Sequence, residues 1–156
     1  MKIAKSPVEL LEALKEHELA LANLYEVYAD AFPECRDFWA DLSKDELQHA
    51  NWIDALYARV KNSDEDFVAE RFRVEPIKHS IKYVKQQAAR ASEPDFTLIN
   101  ALSTALQLEK ALIENKYFEV FAGDSAQTQR TLALLADCTR AHHDKLRKVW
   151  QQNGGG

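Results

Sequence analysis

The sequence predicts an all-α fold, namely a four-helix bundle in which a long helical crossover joins the second helix to the third. Its composition supports this, because Ala, Leu, Glu, Lys and Gln are abundant whereas the 156 residues include only four Gly and four Pro. That balance favours helix over strand. Apolar residues also recur at helical spacing in four long segments. Short turns join these segments in two pairs, and one longer connector separates the pairs.

The first helix is predicted to begin at Ser6-Pro7-Val8-Glu9, a capping box with proline at the first helical position. Phe32-Pro33 ends it and begins the second helix, which is predicted to run to about Lys61. Each helix has one largely apolar face that is suited to a core. In the first helix this face carries Leu11, Leu14, Glu18, Leu21, Tyr25 and Tyr28. In the second helix it carries Phe38, Trp39, Leu42, Glu46, His49, Ile53 and Leu56.

Residues 62–94 are predicted to form the crossover. Ser63-Asp64-Glu65-Asp66 has the pattern of a helix cap, Pro76 begins a further helical piece, and Glu93-Pro94-Asp95 ends it. One face of this piece is apolar and carries Ile77, Ile81, Val84 and Ala88. Much of the rest is basic and is predicted to be a solvated face, with Lys78, Lys82, Lys85 and Arg90.

The third and fourth helices are predicted to be separated by a short turn. Gly123 is a good C-terminal stop, and Asp124-Ser125-Ala126-Gln127 has the pattern of a helix cap. One face of the third helix carries Leu98, Leu102, Ala105, Glu109, Leu112 and Lys116. One face of the fourth carries Leu132, Leu135, Ala136, Thr139, His142, Leu146 and Val149.

Composition and charge exclude several classes of protein. The net charge of -5 includes no dominant basic patch, so a nucleic-acid partner is not expected. No apolar run is long enough for a membrane span, and the N-terminus lacks the apolar core of a signal peptide. Cys35 and Cys138 fit no metal or redox motif and are predicted to be reduced thiols of a cytoplasmic protein. Residues 1–153 are predicted as one domain, followed by a frayed tail over 154–156.

The apolar faces are interrupted by ionisable side chains. Glu46 and His49 are three residues apart, so a helix places both on one face, one turn from each other. Glu18 and Glu109 interrupt the stripes of the first and third helices in the same way. Burying such groups is unfavourable unless they are paired or bind a metal. Carboxylate oxygens together with imidazole nitrogens suit iron or manganese.

The two helix pairs also form an imperfect repeat. The interval from Glu18 to His49 is 31 residues, and that from Glu109 to His142 is 33 residues. Aligning the pairs on these residues places His49 with His142. It also places Glu46 with Thr139, so the repeat loses one carboxylate.

Four stretches of the chain now show a resemblance to a known family: Glu18-Leu-Ala-Leu-Ala-Asn-Leu-Tyr25, Asp45-Glu46-Leu-Gln-His49-Ala50, Glu109, and Ala136-Asp-Cys-Thr139-Arg-Ala-His142. They resemble the rubrerythrin-like branch of the ferritin-like superfamily, whose bundle has one long crossover. The resemblance implies a di-iron or di-manganese site, held by one Glu on each of two helices and a Glu-x-x-His on each of the others. Carried over by position, the implied metal ligands are Glu18, Glu46, His49, Glu109 and His142.

Thr139 departs from the family pattern, which calls for Glu at that position. With three carboxylates, two divalent ions would leave one unit of positive charge at the site. Three outcomes stay open: one metal binds well and the other weakly, another residue compensates, or the site is a relic held by hydrogen bonds and protonated carboxyls. His143 is the best candidate for compensation, because it lies four residues after Thr139. Tyr25 is either an outer hydrogen-bond donor, a redox-active tyrosine or a packing residue.

Two functional hypotheses follow. The first is a non-haem iron or manganese oxidoreductase that acts on Fe(II) with O2 or peroxide. The chain lacks the two Cys-x-x-Cys pairs of rubrerythrins, so an external electron donor is expected. The second is a degenerate bundle with a partial or empty site, acting as a structural or protein-interaction module. The resemblance also implies a homodimer or higher homo-oligomer. Two further histidines outside the proposed site, His17 and His79, are predicted at the surface.

Overall fold

The structure is a computed structural model that describes residues 7–62, 74–114 and 126–155, and all regular structure within these ranges is helical. The all-α prediction is therefore confirmed. The elements are α1 (Pro7–Ala31), a 3-10 turn (Pro33–Cys35), α2 (Arg36–Asn62), α3 (Val74–Arg90), α4 (Leu98–Glu114) and α5 (Ala126–Gln152). Outside the described residues lie the predicted signals at Ser6, Ser63-Asp64-Glu65-Asp66, Gly123, Asp124 and Ser125, as well as Lys116.

α1 is the helix around which the core is arranged. It packs against α2 and α3, while α5 packs against α4 and α2. Because proline has no N–H to continue the helix, Pro33 ends α1 and the chain turns back into α2. The faces predicted for α1 and α2 are inward, and the buried set includes Leu11, Leu14, Leu21, Tyr25, Tyr28, Trp39, Leu42, Ile53 and Leu56.

Side-chain contacts fix the directions of the helices. Lys15 pairs with Asp54 at 2.8 Å, near the start of α1 and the end of α2, and Ser43 bonds the Ala22 carbonyl at 2.8 Å. α2 is therefore antiparallel to α1. His142 of α5 contacts Glu109 of α4 and Glu46 of α2. A later residue of α5, Trp150, reaches the earlier Ser103 of α4, and an earlier residue, Thr128, reaches the later Arg59 of α2. α5 is therefore antiparallel to both α4 and α2. It follows that α2 and α4 run parallel.

The crossover contains a full helix. α3 begins at Val74, two residues before the predicted start at Pro76, which is tolerated because the first turn of a helix needs no intrahelical donor. The apolar face packs on α1 and buries Val74, Ile77, Ile81 and Val84. The basic face is exposed, as predicted. No helix in the described ranges is both long and apolar enough to cross a membrane.

The structure describes Gly154 and Gly155 of the predicted tail, and these two residues cap the end of α5. Gly154 has a φ of 96°, a left-handed conformation that favours glycine, and its N–H bonds the Gln151 carbonyl at 3.3 Å. The Gly155 N–H bonds the Trp150 carbonyl at 2.9 Å, which completes a Schellman cap. A Cβ on Gly155 would lie 2.2 Å from the Trp150 ring. The indole N–H of Trp150 donates to Ser103 at 3.0 Å, so the cap also anchors α5 to α4.

Both His17 and His79 were predicted to lie at the surface. The prediction is confirmed for His79 and wrong for His17. His17 is 1% exposed, and its Nε2 lies 2.7 Å from the Ser80 hydroxyl of α3. The physical reason is that α3 covers a second side of α1, outside the apolar stripe. Burial lowers the pKa of His17, although the charge of Glu18 opposes this shift.

Replacing His17 by alanine is expected to destabilise the protein by about 2 kcal/mol, because the change removes a buried ring and the contact with Ser80. Urea unfolding of the variant measures this loss. His79→Ala, on the exposed side of α3, is the matched control and should stay within about 0.5 kcal/mol of the parent protein. Similar small losses for both variants would show that the buried contact contributes little.

Candidate metal centre

The five predicted ligands converge inside the protein from four helices. Glu18 comes from α1, Glu46 and His49 from α2, Glu109 from α4 and His142 from α5. Each is between 1% and 4% exposed. Their donor atoms form two groups, each within 4.8 Å: Glu18, Glu46 and His49, and then Glu46, Glu109 and His142. Glu46 belongs to both groups and is the centre of the cluster.

The Glu46 carboxylate divides its two oxygens between the two histidines. Its Oε2 lies 3.2 Å from His49 Nδ1, and its Oε1 lies 2.9 Å from His142 Nδ1. The two imidazole rings stack with their centroids 5.2 Å apart. Both Nδ1 atoms therefore face the same carboxylate, which joins the two groups of donors.

Glu18 and Glu109 complete the two groups from opposite sides. Glu18 Oε2 lies 3.7 Å from His49 Nδ1, beyond hydrogen-bond range, and this buried oxygen has no hydrogen-bond partner among the described residues. Glu109 Oε1 lies 3.5 Å from His142 Nδ1 and accepts a hydrogen bond of 2.7 Å from the Tyr25 hydroxyl. Tyr25 is thus placed as an outer donor to the cluster. Burial, reinforced by the charge of Glu109, holds the pKa of Tyr25 well above its usual value.

The cluster can balance its own charge by holding protons. Burial, with the charge of Glu46, raises the pKa of Glu18 to about 8. Burial alone would lower the pKa of His49, but the carboxylates of Glu18 and Glu46 outweigh it and raise the value to about 11. His142 behaves in the same way beside Glu109 and Glu46, and its pKa also rises to about 11. Glu18 and the two histidines can therefore hold protons in the metal-free cluster.

Asp45 is a member of the site that sequence reasoning missed. Its Oδ2 lies 3.0 Å from His142 Nε2, on the edge of the ring opposite to Glu46, and its side chain is 55% exposed. A carboxylate on the outer nitrogen fixes the orientation of a ligating histidine and increases its basicity. No periodicity signal identifies such a residue, because Asp45 lies on the exposed flank of α2 and meets His142 only through packing.

Asp45→Ala is expected to weaken metal binding by about 10–100-fold, because His142 loses the group that orients its ring. Isothermal titration with Mn(II) measures the change. Asp41, one turn earlier on α2 and also exposed, provides the matched control as Asp41→Ala. Equal affinities for the two variants would remove Asp45 from the site.

The two remaining predicted positions do not supply a fourth carboxylate or its substitute. Thr139 is 3% exposed, and its hydroxyl donates to the Leu135 carbonyl at 2.9 Å. His143 does not reach the cluster: its side chain is 23% exposed, and its Nδ1 lies 3.8 Å from the Asp144 carboxylate. The reason is helical geometry, since consecutive residues are about 100° apart and His142 already faces the cluster. The prediction that His143 compensates for the missing carboxylate is therefore wrong.

The donor set fits a divalent metal ion. Two ligand atoms about 2.1 Å from one ion and at right angles to each other lie about 3.0 Å apart, and the four contacts here are 2.9, 3.2, 3.5 and 3.7 Å. The buried Glu18 Oε2 has no hydrogen-bond partner within the described ranges and could meet a cation together with Glu46 and His49. Comparison with protein-family models, curated proteins and solved structures found no match.

Proposed function

We propose that this chain is a ferritin-like, rubrerythrin-like protein that binds a pair of divalent iron or manganese ions. The observation that carries the proposal is the double role of Glu46, whose carboxylate is shared by two buried groups of donors. Each ion would receive Glu46, one further carboxylate and one histidine. The parallel course of α2 and α4, with α3 between them in the chain, is what a four-helix bundle with one long crossover requires.

Iron supplies one-electron redox chemistry when it is bound, and the proposed activity is oxidation of Fe(II) with O2 or peroxide. Glu18, Glu46 and Glu109 supply negative charge, which favours the higher oxidation state. His49 and His142 supply neutral nitrogen once they lose their protons. Oxygen-rich sites with some imidazole suit iron and manganese better than the thiolate sites of softer ions. Electrons for repeated turnover would come from an external donor.

The chain's own residues control the surroundings of the site. Tyr25 holds Glu109 by a hydrogen bond from within the core, and Asp45 holds His142 from the solvent side. Buried apolar side chains on the same helices, among them Leu21 and Leu42, limit the access of water. A low-polarity shell of this kind strengthens the interaction between ligands and ion.

Metal analysis tests the proposal. The protein is purified after growth with iron and manganese, and about two equivalents of metal per chain are expected. Anaerobic loading with Fe(II), followed by peroxide, should then produce the near-ultraviolet absorbance of an oxo-bridged iron pair. Metal well below one equivalent, both as purified and after loading, would overturn the proposal.

A second candidate function is a metal-free structural or interaction module. It is favoured by one observation, namely that Glu46 already contacts both histidines and the cluster can neutralise itself with protons. Against it stands Glu18, because in the part of the chain that the structure describes no partner meets one of its buried oxygens. The same metal analysis separates the two candidates, since the module predicts no bound metal after loading.

A further inference from the structure

Thr139 occupies a special place beside the proposed metal centre. It precedes His142 by one helical turn, as Glu46 precedes His49, and it is 3% exposed. Its side chain ends at the γ position, whereas a glutamate carries its carboxylate on the δ carbon. The side chain therefore stops short of the place where a carboxylate would complete the second Glu-x-x-His pair.

No described side chain supplies the missing charge at this position. The Thr139 hydroxyl is neutral, and its hydrogen is bonded to the Leu135 carbonyl of its own helix. His143 is directed to Asp144. The Asp45 carboxylate lies on the Nε2 edge of His142, whereas Glu46 and Glu109 meet the Nδ1 edge. The Nδ1 edge of His142 thus faces two carboxylates that also belong to the rest of the cluster.

Charge counting shows what the completed centre lacks. Two divalent ions bring four positive charges, and the three glutamates of the two donor groups bring three negative charges. Asp45 adds a fourth negative charge only from the exposed Nε2 edge of His142, so the remaining positive charge is uncompensated on the buried Nδ1 side, where this is strongly unfavourable. One small monoanion would neutralise it and would also provide the missing oxygen donor.

We propose that the space beside Thr139 is a binding site for a small carboxylate-type anion, of the size of formate, acetate or bicarbonate, that binds together with the metal ions. This inference rests on the proposed function. The anion takes the place of the carboxylate that glutamate provides in the family pattern. Anion and metal then bind cooperatively, and by linkage each raises the affinity of the other by the same factor.

The test measures Mn(II) affinity in chloride and in acetate at equal ionic strength and pH. Acetate is expected to tighten Mn(II) binding by about tenfold. Trimethylacetate carries the same charge on a bulkier group and is expected to have no effect, because the site is enclosed. Equal affinities in chloride and acetate would overturn the inference, and so would an equal effect of trimethylacetate.

Variants at Thr139 locate the anion. Thr139→Glu supplies the carboxylate covalently, so its affinity in chloride should rise by about tenfold or more and acetate should add nothing. Thr139→Gln fills nearly the same volume as Thr139→Glu but carries no charge. It should lose the acetate effect without gaining affinity for Mn(II). Thr139→Val keeps the volume of threonine and should keep the acetate effect. An acetate effect that persists in Thr139→Gln would place the anion elsewhere and overturn the inference.

Failure of this inference is distinguishable from failure of the proposed function. If the parent protein binds Mn(II) equally in both salts, the anion site is wrong and the metal centre stands. If it binds no Mn(II) in either salt, the proposed function itself is wrong. Circular dichroism checks that each variant is folded, and the comparison of acetate with trimethylacetate on the parent protein needs no variant at all.

Discussion

Glu46→Gln is expected to abolish binding of both metal ions, whereas Glu18→Gln should abolish binding of only one. The reason is geometric. Glu46 contributes one oxygen to each group of donors, at 3.2 Å from His49 and 2.9 Å from His142. Glu18 belongs to the first group alone. Glutamine has nearly the same shape as glutamate but no negative charge, so the variant removes the ligand without opening a cavity.

The size of the effect should exceed that of losing an outer partner of a metal ligand, which is about 10–100-fold in affinity. Titration with Mn(II) gives the stoichiometry and the affinity of each variant. Glu114→Gln is the control, because this glutamate is 66% exposed on α4 and lies outside both groups of donors. Retention of two ions by Glu46→Gln would show that the metal does not bind between the two histidines.

The peroxide reaction gives an independent readout of the same variants. The absorbance of an oxo-bridged iron pair requires two ions close together, so both Glu46→Gln and Glu18→Gln should lose it. Only Glu18→Gln should still bind one equivalent of iron. A metal-free module predicts a different outcome, in which neither variant changes the metal content because none is bound.

The helices and the inward direction of the five proposed ligands could be predicted from the sequence because both depend on local periodicity, whereas their joint role as metal ligands was implied by the family resemblance. A carboxylate such as Glu18 or Glu109 within a stripe of leucines must face the interior, whatever the rest of the fold does. The pairing of Glu46 with His49 needs only the spacing of one turn. The structure adds the convergence of these stripes, since Glu46 and His142 are separated by 96 residues in the chain.

What could not be predicted depends on contacts between helices. His17 is buried because α3 packs on a second side of α1, and the pattern of α1 alone does not show which helix covers it. Asp45 meets His142 from an exposed flank of α2, which no apolar stripe marks. The direction of His143, in contrast, was predictable, because the residue that follows His142 lies about 100° around the same helix.

The protons of the cluster connect metal binding to stability. Without metal, His49 and His142 keep their protons in the folded state up to a pKa of about 11, and Glu18 keeps its proton up to about 8. In the unfolded chain the same groups lose them near the ordinary values of 6.5 and 4.5. Metal binding requires these ligands to be deprotonated. Protons and metal ions therefore compete for the same three side chains.

The stability of the metal-free protein is accordingly expected to fall as the pH rises from 7 to 8.5. These groups have raised pKa values in the folded state, so their stabilisation is full below the unfolded pKa and is lost as the pH approaches the folded one. Each proton that only the folded state retains lowers the free energy of unfolding by about 1.4 kcal/mol per pH unit. For the two histidines this amounts to about 4 kcal/mol over the range. The range begins at pH 7 because His17 opposes this trend at lower pH. Its pKa is lowered in the folded state, so its contribution makes the free energy of unfolding rise with pH.

The metal-loaded protein should show almost none of this loss, because its ligands carry no protons in the folded state. The difference in unfolding midpoint between loaded and metal-free protein should therefore widen by roughly 8–16 °C between pH 7 and 8.5. Thermal unfolding with Mn(II) or with a chelator measures it. His142→Gln should halve the pH dependence of the metal-free protein, because His49 still holds its proton, whereas His79→Gln, at the surface, should leave it unchanged. A metal-free midpoint that is constant over this range would show that the histidines do not hold protons against Glu46, and the competition between protons and metal would then be absent.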